Sequence, residues 1–469
     1  MDFPIFHADF LGNRMIIAII GILHVIINHG LAVGLMPLIT AIEHYGHKTN
    51  NQKYDNLAHK LLFIAFIITT TVGALTGVGI WLSVGLINPY SIGSLIRVFF
   101  WAWFIEWLVF VTEVCLILWY YLSWDKYKNN KLKHIKIGYA LSIFSWITMA
   151  IIVAILGFMM DPGNWLTDKS FFSAVFNNIY IPQLMFRTCL AMMEAGIIAA
   201  FIAIIITKSD VIFRSVILRF IGLWITFWAP LMVVFGYWYY SRVPAAMAEN
   251  IPIALLTGAF ASWNNQLLVI IAACVLSFLV FAQMAIVTPK KIPSFVPIVP
   301  FLCVMWLTGH FERIREFIRK PYVIGQYMYA NGVRVQDYPL LNAEGLMAHA
   351  TYRHKLTDDE AKDVEEKLFS KIEDGKNVFL IACSRCHTGA GVNSITAKFG
   401  KLLGTEEWQA AEISQYAQDV HSIQSYMPPF PGNKEDADNL ALYIKQLRKT
   451  NAKVLAADSN GVAINIHQK

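Results

Sequence analysis

Long apolar runs alternate with short polar stretches over the first two thirds of the chain, at about 15–42, 60–86, 96–123, 137–159, 182–206, 215–240, 264–288 and 292–309. Each is near or above the ~20 residues with which an α-helix crosses a bilayer. The pattern predicts eight transmembrane helices. The first run is long, lacks a small-residue cleavage site and follows the polar start Asp2-Phe3-Pro4, so it is expected to stay as a span. From His310 the chain turns polar, with Glu312, Arg313, Arg315, Glu316, Arg319 and Lys320 leading into an aromatic stretch over 322–329. Helical patterning returns over 361–379, and a final amphipathic helix is expected over 434–447. The expected division is a membrane domain over 1–309, a connector on the outer membrane face over 310–358, a small α-helical domain over 359–452 and a tail over 453–469.

Loop charge orients these spans. The loop after the first run holds Lys48 and Lys53, and that after the third holds Lys126, Lys128, Lys131, Lys133 and Lys136. Later loops hold Lys208 with Arg214, then Lys290 with Lys291, whereas the connections around Asn88, Asp161 and Glu249 are poor in positive charge. The positive-inside rule puts the N-terminus outside and, after eight crossings, the C-terminus outside too. Composition agrees: 56% of the 469 residues are hydrophobic and only 15% charged, too apolar for a soluble globule of this size. The net charge of +6 is scattered by loop, which gives nucleic-acid binding no support. Cys115, Cys189, Cys274 and Cys303 fall in apolar stretches and read as small buried hydrophobes.

The other two cysteines carry chemistry. Cys383-Ser384-Arg385-Cys386-His387 is a C-x-x-C-H motif, in which two thiols add across the vinyl groups of a haem and the histidine supplies an axial nitrogen. A zinc site would need two further ligands, and none stands at the usual spacing. About 40 residues on, in Ser425-Tyr426-Met427-Pro428-Pro429-Phe430, a proline-stiffened loop presents Met427, the expected sixth ligand of this haem c, with His421 as its competitor. A His/Met pair suits electron transfer. The order of helix, C-x-x-C-H, Met-Pro-Pro loop and terminal helix resembles the small class I cytochromes c. Because c-type haem is attached outside the bacterial cytoplasmic membrane, haem chemistry and loop charge give one orientation.

Ionisable groups within spans are costly and mark candidate functional positions. Here they are His24 and His29 on the first helix, Glu106 and Glu113 on the third, and Arg187 and Glu194 on the fifth, with Glu312 and Glu316 just past the eighth. A membrane histidine is a haem ligand or a polar contact between helices. Glu106 and Glu113 are seven apart and share a helix face. That spacing fits a proton path or a structural pair equally well.

The order of these residues resembles subunit I of the cytochrome bd oxygen reductases over about Asn13 to Tyr322. His24 matches the family's haem-ligating histidine. Glu113, followed by Trp124-Asp125, matches the second glutamate of the third helix, and Glu106 falls within one residue of the first. Glu316-Phe317-Ile318-Arg319-Lys320-Pro321-Tyr322 is similar to the family's Glu-Tyr-Gly-Arg-Gln-Pro-Trp segment, whose glutamate ligates high-spin haem b. The departures matter as much. Where the family has a histidine for its low-spin haem b, Met185-Phe186-Arg187-Thr188 offers Arg187, which stays protonated and cannot bind iron. The methionine expected on the seventh helix is missing, and the long quinol-binding loop has shrunk to 241–262.

The resemblance therefore implies an all-α polytopic oxidoreductase of the respiratory chain without low-spin haem b or the usual quinol site. Electrons would come through haem c from a soluble or membrane-attached cytochrome. They would pass to a high-spin haem b and a second high-spin haem, d-type or b-type, held by His24, Glu106 and Glu316 with Arg319. O2 would be reduced there, with protons arriving through Glu113 and Glu106, and a second membrane subunit is expected as partner. Nitric oxide reduction at the same haems and a non-catalytic electron-transfer subunit are the rival expectations. The costly carboxylates speak against the latter.

Overall fold

The computed structural model of the protein describes residues 6–256, 264–293, 295–350, 364–404 and 406–459. Two units make up the chain: Ile20–Ile80 with Ser94–Arg319, and Met1–Ile19 with Trp81–Gly93 and Lys320–Lys469. The end of the shortened 241–262 loop, the end of the expected connector, the first residues of the expected soluble domain and most of the tail lie outside the described residues.

Each expected apolar run coincides with a helix, the last of them from Ile298 on. The eight long helices are α1 (Asn13–Lys48), α2 (Gln52–Ile87), α3 (Phe100–Leu122), α4 (Lys131–Met160), α5 (Tyr180–Ile206), α6 (Val211–Arg242), α7 (Asn264–Val287) and α8 (Ile298–Ile318). Among the described residues the first seven are long and apolar enough to cross a membrane. α8 is charged at its end, because it continues past His310, where composition predicts the connector to begin. The i,i+3 pairs Glu312–Arg315 at 2.9 Å and Glu316–Arg319 at 2.5 Å neutralise the charges and let the helix run on. Glu312 and Glu316 thus sit on the helix, not beyond it.

α5 occupies the core of the membrane unit: Ala191, Ala195, Ala199, Ala200 and Ala203 are fully buried, and such small residues let neighbouring backbones close in. α1 carries a π-helical turn, Asn28–Val33, which ends at Gly34. A Cβ at Gly34 would stand 2.1 Å from the Ala191 carbonyl oxygen, so only glycine lets α1 lie this tightly on α5. At the lysine-rich end a buried ionic cluster pins four helices. The Glu43 carboxylate on α1 accepts from His134 Nδ1 at 2.6 Å, Tyr120 Oη at 2.6 Å and Lys131 Nζ at 3.2 Å. Lys131 also pairs with Asp55 of α2 at 2.5 Å.

In the second unit, a short antiparallel pair, β1 (Tyr322–Ile324) and β2 (Met328–Tyr329), precedes helices α9 (Tyr338–Glu344), α10 (Val364–Ala382), α11 (Ile395–Leu403), α12 (Ala410–Gln418), α13 (Val420–Ile423) and α14 (Lys434–Ser459). α10 and α14 cross closely, since a Cβ at Gly375 would lie 1.9 Å from the Asn439 carbonyl oxygen. Val378, Phe379, Phe399, Trp408, Ile413, Phe430, Leu440 and Ile444 form their common core. Asp436 ties the connector to α14 by accepting from the backbone of Leu346 at 2.6 Å and Met347 at 3.3 Å. The N-terminal segment is stitched to the same unit: Asp9 accepts from the Gly389 amide at 2.5 Å, and Val392 N donates to Phe10 O at 3.0 Å.

Candidate haem sites

The C-x-x-C-H motif follows directly on the end of α10, in a hydrogen-bonded turn. Cys386 N and His387 N both donate to the Cys383 carbonyl, at 3.1 and 2.9 Å. This curls two thiols and one imidazole around a single turn. The Asn393 carbonyl accepts from His387 Nδ1 at 3.2 Å, which fixes the tautomer and leaves Nε2 for a metal. Burial pushes the His387 pKa down to about 4, so the ring is neutral near pH 7, as an iron ligand must be. Burial also pushes the Cys383 thiol up to about 12. The apolar surroundings and the ring tautomer fit a covalent haem c. Across the domain, His421 Nδ1 donates to the Met427 carbonyl at 2.6 Å. One nitrogen of the competing ligand thereby braces the loop that presents Met427.

In the membrane unit, His24 Nδ1 faces two acceptors, the Gly73 carbonyl and Thr76 Oγ1, each at 3.2 Å. Thr76 Oγ1 donates to Val72 O at 2.7 Å and is thus free to accept from the ring. Nδ1 therefore carries the proton and Nε2 is left for iron. Gly77 completes the cradle: a Cβ there would come within 3.2 Å of His24 Cε1. His29 is differently placed. Its Nε2 accepts from Arg187 Nη1 at 3.2 Å, so that nitrogen is already spent.

Glu106 and Glu113 lie two turns apart on α3, about 10.5 Å along the axis. Ser145 at 2.7 Å and Thr148 at 3.1 Å donate to the two oxygens of Glu113. Glu316 is paired with Arg319, whose guanidinium is also within 3.5 Å of Met159 Sδ. The ligand candidates His24, Glu106 and Glu316 thus come from three helices, α1, α3 and α8.

Arg187 is held between Glu312 and His29. It is 1% exposed, pairs with Glu312 at 2.7 Å, donates to His29 and lies 5.3 Å from the centroid of the Phe311 ring. A haem iron ligand does not fit here, because a guanidinium has no lone pair to offer. Residue reading found these groups but missed the Glu43 cluster. Glu43 falls one residue beyond the end of the first predicted run, and His134 precedes the fourth, so both passed for loop residues.

These helices have counterparts. The profile of cytochrome bd terminal oxidase subunit I matches residues 13–254, more than half of the chain. The chain belongs to that family. This bd subunit I relative also carries a second match, over residues 370–444, to cytochrome C oxidase, cbb3-type, subunit III, which covers the haem c motif and Met427. No curated protein matches it. The bd oxidase structure from Geobacillus thermodenitrificans has the same fold, with a TM-score of 0.52 at 15% identity over 80% of this chain and 97% of that one. A cytochrome bd subunit I fold joined to a cytochrome c domain makes the protein an integral membrane, terminal-oxidase-like oxidoreductase subunit that carries haem.

Proposed function

We propose that this subunit takes electrons through haem c, on Cys383, Cys386, His387 and Met427, and delivers them to two high-spin haems held by His24, Glu106 and Glu316, where O2 is reduced to water. The observation that carries the reading is Arg187. It stands where the family's low-spin haem has its histidine, and its ion pair with Glu312 at 2.7 Å occupies that position. With that route closed, the C-x-x-C-H domain is the electron entrance. The donor is a cytochrome, soluble or membrane-attached, and a second membrane subunit completes the complex.

Haem iron supplies the electron-transfer and ligand-binding chemistry, and the protein's own groups do the rest. Gly73 and Thr76 orient His24, Asn393 orients His387, and His421 braces the Met427 loop. Glu113, held by Ser145 and Thr148, relays protons towards Glu106 on the same helix face. Arg319 pairs with Glu316 and orients its carboxylate as the oxygen ligand.

The make-up of the second unit supports the orientation read from loop charge. Its N-terminal segment, the Trp81–Gly93 stretch at the end of α2 and the haem c domain belong together, as expected if both termini and that stretch share one side of the membrane. An even number of crossings fits eight spans, and the lysine-poor side is the outer face of the bacterial cytoplasmic membrane.

The test is gas consumption by the purified complex. We expect O2 uptake with a reduced cytochrome as donor and none with a quinol. Uptake of nitric oxide but not O2 would move the acceptor, and uptake with quinol alone would refute the haem c route. Glu316→Ala is expected to lose a membrane haem while haem c stays covalently bound.

A further inference from the structure

Besides the proton path along α3, the membrane unit encloses a second ionisable cluster. It is built from His29 in the π-helical turn of α1, Arg187 and Glu194 on α5, and Thr308, Glu312 and Arg315 on α8. Arg315 is paired with Glu312 at 2.9 Å, and Arg187 with Glu312 at 2.7 Å. Tyr239 of α6, beside them, donates to Met160 Sδ at 3.2 Å. Glu194 is completely buried, and its Oε1 accepts from the Thr308 hydroxyl. Its Oε2 faces His29 Nδ1 across 3.9 Å, and both of those buried atoms lack a hydrogen-bond partner among the described residues.

Tautomer logic says which atom can change. Arg187 only donates, so His29 Nε2 must accept, and the single proton of the neutral ring sits on Nδ1, pointing at Glu194. A second ring proton would have to stand on Nε2 against the guanidinium, which repels it. An added proton therefore goes to Glu194 Oε2. A gap of 3.9 Å is too long for a hydrogen bond and tolerates Glu194 with or without it. Charge balance agrees. Two guanidinium cations face two carboxylates, so the cluster is neutral with Glu194 ionised and carries one positive charge with Glu194 protonated.

We propose that Glu194 is a charge-compensating proton site, taking up one proton from water when an electron reaches the haem held by His24, five residues before His29 on α1. This rests on the proposed ligand role of His24. The step balances: one electron from haem c lowers iron from ferric to ferrous, one proton bonds to Oε2, no other bond breaks, and net charge is unchanged. Burial without solvent is what makes such compensation worthwhile, because an uncompensated charge in a low dielectric is costly.

The test is the reduced-minus-oxidised infrared spectrum of the complete haem-loaded protein in H2O and D2O. We expect a carboxylic acid C=O band that appears on reduction, shifts in D2O, moves in Thr308→Val and is lost in Glu194→Gln. A spectrum in which Glu194→Gln, with its membrane haems intact, keeps every carboxyl band overturns the proposal. Should that variant fail to accumulate, Thr308→Val decides, and no movement of any band in it is equally contrary. His24→Ala separates the two claims. If it retains every membrane haem, the ligand reading fails. If it loses one while the wild type shows no Glu194-dependent band, only the proton site fails.

Discussion

At position 187 the difference between imidazole and guanidinium changes what the first third of α5 can do. Five N–H donors and no acceptor make Arg187 a partner for Glu312 and His29 and bar it from iron. The same attention to lone pairs separates the histidines. His24 and His387 each direct Nδ1 at a carbonyl and keep Nε2 in reserve, while His29 gives Nε2 to Arg187 and His421 gives Nδ1 to the Met427 carbonyl. From this follows an expectation for haem c. Met427→Leu should keep the haem covalently attached on a denaturing gel but lower its midpoint potential, since the thioether favours the ferrous state. His421→Ala should loosen the loop without removing the ligand, giving a smaller shift in a redox titration. A larger shift in His421→Ala than in Met427→Leu would assign the sixth ligand to His421.

Among the elements, α1 shows what can and cannot be read from a hydrophobic run. Its existence and span follow from apolar length alone, but its π-helical turn and its contact with α5 depend on Gly34 meeting the Ala191 carbonyl, which is a tertiary fact. The end of α8 was likewise hidden, because a run of charges reads as a loop until the i,i+3 pairing of Glu312 with Arg315 and Glu316 with Arg319 is seen. His24, Glu113, Arg187 and the haem c motif were legible because their chemistry is bound to residue type. The Glu43 cluster was not, since its members are scattered over α1, α2, α3 and α4 at run edges. It carries its own prediction. Glu43→Ala leaves half-buried Lys131 and buried His134 facing no carboxylate but Asp55, and should cost about 3–5 kcal/mol, read as a lower melting temperature in detergent with haem c still attached. An unchanged melting temperature would mean that the cluster adds nothing to helix packing.

For the whole molecule, two units with different chemistry share one chain, and the N-terminal segment is stitched to the C-terminal one through Asp9 and Phe10. Tags at either terminus should be reached by an impermeant label in intact spheroplasts, and a tag in the loop holding Lys126 and Lys128 only after permeabilisation. Opposite behaviour of the two termini would require an odd number of spans. The central claim is that haem c replaces the family's low-spin haem as the electron entrance. The reduced-minus-oxidised optical spectrum of the purified complex tests it most directly. The account predicts c-type haem together with high-spin haem and no low-spin b signal. A clear low-spin b band would contradict it.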